Sequence, residues 1–204
     1  MLSELSATNI IDVVLAILIS LSIHEAMHAF TAHWLGDTTA QDMGRLSLNP
    51  LKHIDPFSTL ILPVITLLIF KVPILAAKPV PFNPDRVKFD EFGAALVAAA
   101  GPLTNLVLAV VGALLLNSSG SSAELANFFS IFIIINVALF VFNILPIPPL
   151  DGSRVLYAFA PEALQDLMRQ IEPWGLIVVF VLVLSGILTP LLVNLNSGIL
   201  NLLP

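Results

Sequence analysis

The chain has 204 residues, of which 57% are hydrophobic and 11% charged, and its formal net charge is −6. A soluble globular domain carries roughly 25% charged residues, so this composition excludes a water-exposed surface over most of the chain. The chain has no basic stripe of the kind that would indicate nucleic-acid binding. The absence of cysteine excludes disulfides, thiolate metal ligands and a cysteine nucleophile. We expect an all-α, polytopic helical membrane protein in which residues 1–204 form a single membrane-embedded domain.

Long apolar runs predict the membrane helices, because a helix needs about 20 residues to cross the hydrocarbon core. The N-terminal residues lack the basic start and the small-residue cleavage site of a signal peptide. The first run is therefore expected to remain as a membrane helix and to serve as its own insertion signal. In chain order, the predicted helices span about residues 9–35, 91–116, 125–145 and 174–193.

The segments between these runs have different patterns. Alternation and turn residues over 37–56 predict short strands or a loop after the first helix. The 57–77 run is apolar but contains prolines, and the three prolines of 78–86 exclude a helix there. Residues 161–172 carry apolar side chains at helical spacing with charges elsewhere, which predicts an amphipathic helix at the membrane interface.

One motif on the first predicted helix is typical of metal chemistry. His24, Glu25 and His28 fit the pattern H-E-x-x-H. Residues four apart share one helix face, so both imidazoles can bind one ion while the glutamate accepts a proton from the attacking water. A chance pentapeptide is the alternative. Ionisable residues inside a membrane helix are costly, however, and their presence there indicates a functional site.

A catalytic zinc usually takes three protein ligands, so the chain must supply a third. His33 is rotated off the shared face and is interpreted as an interfacial histidine. His53 and Asp55 lie in a predicted loop and could reach the site. Asp151 follows a helix end broken by prolines, although an aspartate before glycine is most often a cap or turn residue. From spacing alone these candidates stay open.

Three motifs together, HEAMH, AAAGPLTN and NILPIPPLDG, resemble the site-2 protease family. GRLSLNPLKHIDP and KPVPFNP are similar to its compact prokaryotic branch, which has neither a PDZ nor a CBS domain. The resemblance implies one zinc per chain, bound by His24, His28 and Asp151, with Glu25 as the catalytic glutamate. It also implies that Asn143 stabilises the oxyanion or holds substrate.

The resemblance further assigns a family motif to Gly101, Pro102 and Asn105. We interpret the glycine and proline as allowing close helix approach, and Asn105 as a packing or hydrogen-bonding residue near the site. The family cleaves membrane-spanning segments of other proteins, often to release a regulator such as an anti-sigma factor. Without a PDZ or CBS domain, we expect access to be gated by a separate partner or by prior trimming of the substrate.

The distribution of basic residues predicts the orientation in the cell membrane. All eight fall in three loops, which the positive-inside rule places in the cytosol. The N-terminus is then outside, and the 57–77 run forms a re-entrant or bent hairpin because the loops on both sides of it are basic. His24 lies roughly two-thirds through the core. Asp151 reaches that depth only if the 125–145 helix runs in the same direction as the first, which places the active site towards the cytosol.

Two rival functions use the same residues. A metal transporter also lines its ion path with histidine and glutamate, but the chain shows no internal repeat of the kind common in transporters. A catalytically silent relative would bind substrate without cleaving it, and the intact Glu25 argues against that alternative. The sequence therefore predicts an intramembrane zinc metalloprotease that hydrolyses peptide bonds in or near transmembrane segments.

Overall fold

The computed structural model describes residues 7–53, 80–118 and 122–204. Eight α-helices lie in these residues: α1 (Ala7–Trp34), α2 (Thr39–Asp42), α3 (Asp90–Leu116), α4 (Ala123–Asn143), α5 (Asp151–Phe159), α6 (Glu162–Ile171), α7 (Gly175–Leu184) and α8 (Thr189–Leu200). Short 3₁₀ turns at Pro50–Lys52, Pro84–Arg86 and Glu172–Trp174 connect them. The all-α prediction is confirmed. Short strands or a loop were expected for 37–56. The described part, up to residue 53, has no strand and consists of α2, a 3₁₀ turn and the loop residues around them.

Within residues 7–53, 80–118 and 122–204, four stretches are long and apolar enough to cross a membrane, namely Ile10–Trp34, Asp90–Leu116, Ala123–Asn143 and Glu162–Leu184. Their outer faces expose large apolar side chains, for example Ile10, Val107, Ile134 and Ile177. Burying such side chains in lipid is favourable, whereas water would disfavour so many of them. The multi-pass membrane prediction therefore agrees with both the helices and their surfaces.

The helices α1 and α4 run parallel to each other. Asp12 near the start of α1 accepts a hydrogen bond from Asn127 near the start of α4. Further along both helices, Ser20 accepts one from Asn136. The two partners are 115 residues apart in the first pair and 116 apart in the second. Because this separation is nearly constant, both helices advance in the same direction. This is the relation that the sequence argument required if Asp151 is to lie at the depth of His24.

The helix α3 lies antiparallel to both of them. His24 of α1 contacts Asn105 of α3, and the later His28 contacts the earlier Val97. The backbone N–H of Lys88, just before α3, donates to the carbonyl of Leu35, just after α1. The segment that joins α1 to α3 therefore starts and finishes at one end of the bundle. The hairpin predicted for 57–77 lies outside the described residues.

Small residues allow α3 to approach its neighbours closely. Its buried positions are mostly alanine and glycine, as is common where membrane helices pack. A Cβ at Gly112 would lie 3.1 Å from Ile133 of α4. Ala109 and Ala113 pack with Val137 in the same cluster. The three-helix unit of α1, α3 and α4 is therefore held by close backbone approach.

The last apolar run differs from its prediction. A single helix was expected over 174–193, but α7 ends at Leu184 and α8 begins at Thr189. Gly186 lies between them with φ of +73°, a left-handed conformation that glycine adopts at little cost and that ends helices. The C-terminal residues, which the sequence left unassigned, belong largely to α8.

Candidate metal centre

Two histidines on the inner face of α1 and an aspartate at the start of α5 converge on one point. The Nε2 atoms of His24 and His28 lie 3.0 Å apart. Oδ2 of Asp151 lies 3.3 Å from the first and 3.5 Å from the second. Both imidazoles are buried and Asp151 is half-buried. The three residues named by the sequence resemblance as zinc ligands therefore offer one ligand atom each, all within 4.8 Å of one another.

A glycine allows Asp151 to reach this position. The helix α5 starts at Asp151, shortly after α4 ends. A Cβ on Gly152 would lie 2.0 Å from the carbonyl oxygen of Ile144 and 2.7 Å from that of Leu145. Only glycine therefore permits the first turn of α5 to pack against the end of α4. In the Asp-Gly pair, the glycine permits this close contact and the aspartate beside it thereby reaches the two histidines.

The hydrogen bonds of the two imidazoles indicate which atoms are free. Nδ1 of His24 donates to the side-chain oxygen of Asn105 at 2.6 Å, and Nδ1 of His28 donates to the carbonyl oxygen of Val97 at 2.7 Å. In the form of each ring that binds a metal, Nε2 is therefore the unprotonated nitrogen, and it faces the other ring and Asp151. Three converging lone pairs repel one another unless a cation lies between them. Two imidazole nitrogens and one carboxylate oxygen fit the donor set of a catalytic zinc site.

Gly101 makes room for both ligands. A Cβ at this position would lie 2.4 Å from Nε2 of His28 and 2.7 Å from Cε1 of His24. Any side chain on α3 at this height would occupy the space where the ligand atoms meet. The interpretation of Gly101 as a residue that allows close helix approach is thus supported by its contacts, and Pro102 beside it is fully buried.

Glu25 lies beside the ligands and is tied to the segment that precedes α3. It is buried, and its Oε2 accepts a hydrogen bond of 2.9 Å from the backbone N–H of Val80. Val80 stands between Pro79 and Pro81, which have no N–H to donate. The Val80 N–H of this proline-rich stretch is thus used to hold one carboxylate oxygen of the glutamate.

Asp37, just after α1, anchors the same segment from the other side. This fully buried carboxylate accepts hydrogen bonds from the backbone N–H of Thr39 at 3.0 Å and from that of Asn83 at 2.7 Å. Burial alone would raise the pKa of Asp37, but the hydrogen bonds from Thr39 and Asn83, with the nearby charge of Arg86, lower it below its ordinary value. Asp37 thereby fixes the chain three residues from the N–H that contacts Glu25.

Two of the other candidate ligands, His53 and His33, lie apart from this group. Nε2 of the buried His53 donates to the carbonyl oxygen of Ser47 at 2.7 Å. His33 is half-buried near the end of α1 and does not belong to the converging set. Asp55 lies outside the described residues. Asn143 donates to the carbonyl oxygen of Leu139, one turn earlier in α4, at 3.0 Å.

Sequence reasoning missed one part of the surroundings. Asn136 of α4 is fully buried, accepts from Nδ2 of Asn105 at 2.9 Å, and donates to Oγ of Ser20 at 2.8 Å. It stands in the nearly uninterrupted apolar run FFSIFIIINVALFVF. A polar residue within a membrane helix is itself a signal, and it would have identified Asn136. Asn105 was expected only to pack or to hydrogen-bond near the site, and it contacts His24 directly.

Comparisons with known proteins agree with this geometry. Residues 12–186 match the model of peptidase family M50. The chain is 39% identical over 198 residues to YwhC of Bacillus subtilis, covering 91% of this chain and 86% of YwhC. It is 33% identical over 175 residues to Rip2 of Mycolicibacterium smegmatis, covering 82% of this chain and 64% of Rip2. Both relatives are named as candidate zinc metalloproteases.

A third relative, MJ0611 of Methanocaldococcus jannaschii, carries the same designation and is 38% identical over 102 residues, about half of each chain. No solved structure gives a significant match. The family match covers most of the chain, including all three converging ligands, Glu25 and Asn143. The chain therefore belongs to peptidase family M50, the site-2 protease family of zinc metalloproteases.

Proposed function

We propose that this protein cleaves peptide bonds in or beside the transmembrane segments of other membrane proteins. The observation that carries the proposal is the convergence of His24, His28 and Asp151 next to Glu25, within helices long enough to span a bilayer. His24 lies 14 residues after the start of the Ile10–Trp34 span, which corresponds to about 21 Å of helix. A site at this depth suits a substrate that is itself embedded in lipid.

Each residue has a defined task in peptide hydrolysis. Nε2 of His24, Nε2 of His28 and a carboxylate oxygen of Asp151 would hold one zinc per chain. When bound, zinc polarises the scissile carbonyl and lowers the pKa of a water molecule. Oε1 of Glu25 accepts the proton of the attacking water and returns it to the leaving amine. The bond from Val80 to Oε2 keeps the carboxylate oriented for that transfer.

Asn143 is proposed to stabilise the oxyanion of the transition state. Its amide has two hydrogens, and one of them is donated to Leu139. The second can be donated to the carbonyl oxygen under attack. Loss of one such donor costs about a hundredfold or more in turnover. Asn143→Ala should therefore lower turnover by that factor with zinc content unchanged, and loss of zinc together with stability would instead indicate a structural role.

The substrate is proposed to be a membrane-anchored regulator, such as an anti-sigma factor, that is released by cleavage. Both proteins would lie in the same lipid bilayer, and a separate partner would gate access of the substrate to the active site.

The distribution of basic residues supports an active site towards the cytosol of a prokaryotic cell membrane. Single cysteines can test this orientation because the chain has none. A cysteine at Ser121 should react with an impermeant reagent from outside, whereas cysteines at Ser47 and Ser153 should not, and the reverse pattern would overturn the topology.

Glu25→Gln is the decisive variant for proteolysis. It should retain zinc and abolish cleavage, because the amide cannot accept the proton of the attacking water. Membrane proteomes of cells that carry the wild type or Glu25→Gln identify transmembrane segments cut only by the active enzyme. The matched control is Glu124→Gln, at an exposed position at the start of α4. Unchanged cleavage in Glu25→Gln would contradict the proposal, and altered metal flux without any cleavage would favour the transporter alternative.

A further inference from the structure

The two imidazoles of the metal centre are oriented by different partners. Nδ1 of His28 donates to a backbone carbonyl, that of Val97, whose position is fixed by the helix α3. Nδ1 of His24 donates to a side chain, Asn105, which could in principle turn its amide either way. The orientation of Asn105 therefore decides whether His24 meets an acceptor or a donor.

Asn136 determines that orientation. Its amide nitrogen has two acceptors, Oγ of Ser20 at 2.8 Å and the carbonyl oxygen of Phe132 at 2.9 Å. With both hydrogens used, Oδ1 of Asn136 must face Asn105, where it accepts from Nδ2 at 2.9 Å. Nδ2 of Asn105 also lies 3.4 Å from the carbonyl oxygen of Ser20. Turning either amide would set donor against donor and acceptor against acceptor.

The direction of these hydrogen bonds reaches the metal ligand. Since Nδ2 of Asn105 faces Asn136, its oxygen faces His24, and that oxygen can only accept. His24 must therefore carry its proton on Nδ1, which leaves Nε2 unprotonated and directed at His28 and Asp151. Ser20, Asn105 and Asn136 are all fully buried, so water does not compete for these groups. The relay links three helices to one ring nitrogen.

We propose that Asn136 is a positioning residue of the metal centre: acting through Asn105, it fixes the tautomer of His24 and thereby raises the affinity for zinc. The proposal rests on the zinc site of the proposed function. The bland alternative is that the two asparagines only bind α1, α3 and α4 together, as polar residues do in membrane proteins. The two roles differ in what they do to the imidazole of His24.

The first measurement is zinc affinity by chelator competition. Loss of a group that orients a metal ligand typically weakens binding by about 10- to 100-fold. We expect Asn105→Ala to lie in this range and Asn136→Ala to weaken binding less but by at least about fivefold. If Asn136 acts only through Asn105, the double variant should match Asn105→Ala alone, whereas independent roles would add.

The chain offers a matched control in Asn127. Its Nδ2 donates to Oδ2 of Asp12 at 2.7 Å, so it also joins α4 to α1. It lies nine residues before Asn136 in the same helix, about 14 Å away along the axis. Asn127→Ala should lower thermal stability in detergent as an interhelical bond is lost, while zinc affinity stays within about twofold of wild type.

The second measurement reports the tautomer itself. The chain has four histidines, so ¹⁵N-labelled imidazoles of the metal-free protein can be assigned by substitution. Wild type should show His24 protonated at Nδ1, and Asn136→Ala should show a mixture of tautomers. Ser20→Ala, which removes one hydroxyl from a buried position, should shift the mixture in the same direction and guards against a variant that fails to fold.

The outcomes distinguish a failure of the zinc site from a failure of the relay. Failure of the wild type to bind zinc would refute the metal site of the proposed function. Zinc binding by the wild type with unchanged affinity and tautomer in Asn136→Ala and Ser20→Ala would refute the relay alone. Strictly additive losses in the double variant would also overturn it, because Asn136 would then act by a route that bypasses Asn105.

Discussion

Two polar clusters hold chain segments against α1, one inside the bundle and one at its end. The inner cluster, formed by Ser20, Asn105 and Asn136, is neutral and orients His24. The outer cluster is built on the carboxylate of Asp37, which binds backbone N–H groups of Thr39 and Asn83. A charge within the hydrocarbon core is costly, whereas one near its edge is cheaper. The inner cluster, inside the bundle, is therefore built from neutral amides and a hydroxyl. The outer cluster, where the chain leaves the bundle, is built on a carboxylate.

The two clusters also act on different parts of the chemistry. The amide relay contacts a metal ligand, and the Asp37 cluster fixes the segment whose Val80 N–H contacts Glu25. Variants of the inner cluster should therefore change zinc binding first. Variants of the outer cluster should change turnover and stability with the zinc still bound. The following substitutions test that division, in order of decreasing expected effect.

Gly101→Ala should have the largest effect, because its Cβ would lie 2.4 Å from Nε2 of His28. The rings must rotate or α3 must move away from α1, and zinc affinity should fall by about a hundredfold or more. Gly112→Ala on the same helix is the control, since its Cβ would meet Ile133 at 3.1 Å, a contact that small shifts can relieve. Chelator competition on both variants measures the difference. Equal zinc affinities would show that α3 does not shape the metal site.

Asp37→Ala should destabilise the fold by about 2 to 4 kcal/mol, because the half-buried residues Thr39 and Asn83 lose a charged acceptor for their backbone N–H groups. Zinc should remain bound while turnover falls. Asp42→Ala is the control, since that exposed carboxylate accepts from the hydroxyl of Thr38 at 3.1 Å. Thermal unfolding in detergent, zinc content and turnover are measured on the same samples. Loss of zinc in Asp37→Ala would show that the outer cluster also supports zinc binding, which would contradict the separate roles of the two clusters.

The lowered pKa of Asp37 adds a pH dependence. A carboxylate whose pKa is lower in the folded state stabilises the fold fully above its unfolded pKa of about 3.9. That contribution is lost as the pH falls below this value towards the folded pKa. Between pH 6 and pH 3, wild type should therefore lose more thermal stability than Asp37→Ala. Identical losses in both proteins would show that ionisation of Asp37 makes no pH-dependent contribution to stability.

Val80→Pro should have the smallest of these effects. It removes the N–H that donates to Glu25 within a segment already flanked by prolines, and Val80→Ala keeps that N–H. One hydrogen bond to a charged group corresponds to about 1.5 kcal/mol, or roughly tenfold in turnover. Zinc content should be unchanged in both variants. Equal turnover in Val80→Pro and Val80→Ala would mean that Glu25 needs no support from this segment.

The helices and the ligands were within reach of the sequence for physical reasons. Apolar runs of spanning length and the i, i+4 spacing of His24 and His28 are local properties. The resemblance supplied Asp151, because spacing alone left the third ligand open, whereas the distribution of basic residues already implied that α1 and α4 run parallel. The break at Gly186 was missed, although Ser185-Gly186 and Pro190 are breaker signals within the apolar run. Val80 donates to Glu25, and Asn136 accepts from Asn105. Both partners are distant in the sequence, so these roles depend on packing that no local pattern encodes.

The central claim is that two imidazoles and one carboxylate of this chain bind a single zinc. X-ray absorption spectroscopy of the purified, zinc-loaded protein tests it most directly, because the chain has no cysteine that could contribute a sulfur ligand. We expect one zinc per chain, with nitrogen and oxygen ligands at about 2.0 to 2.2 Å and two imidazoles in the outer scattering. His24→Ala with His28→Ala should abolish that signal, while His33→Ala on the same helix should preserve it. Full zinc retention in the double variant, or a spectrum without imidazole scattering, would contradict the account.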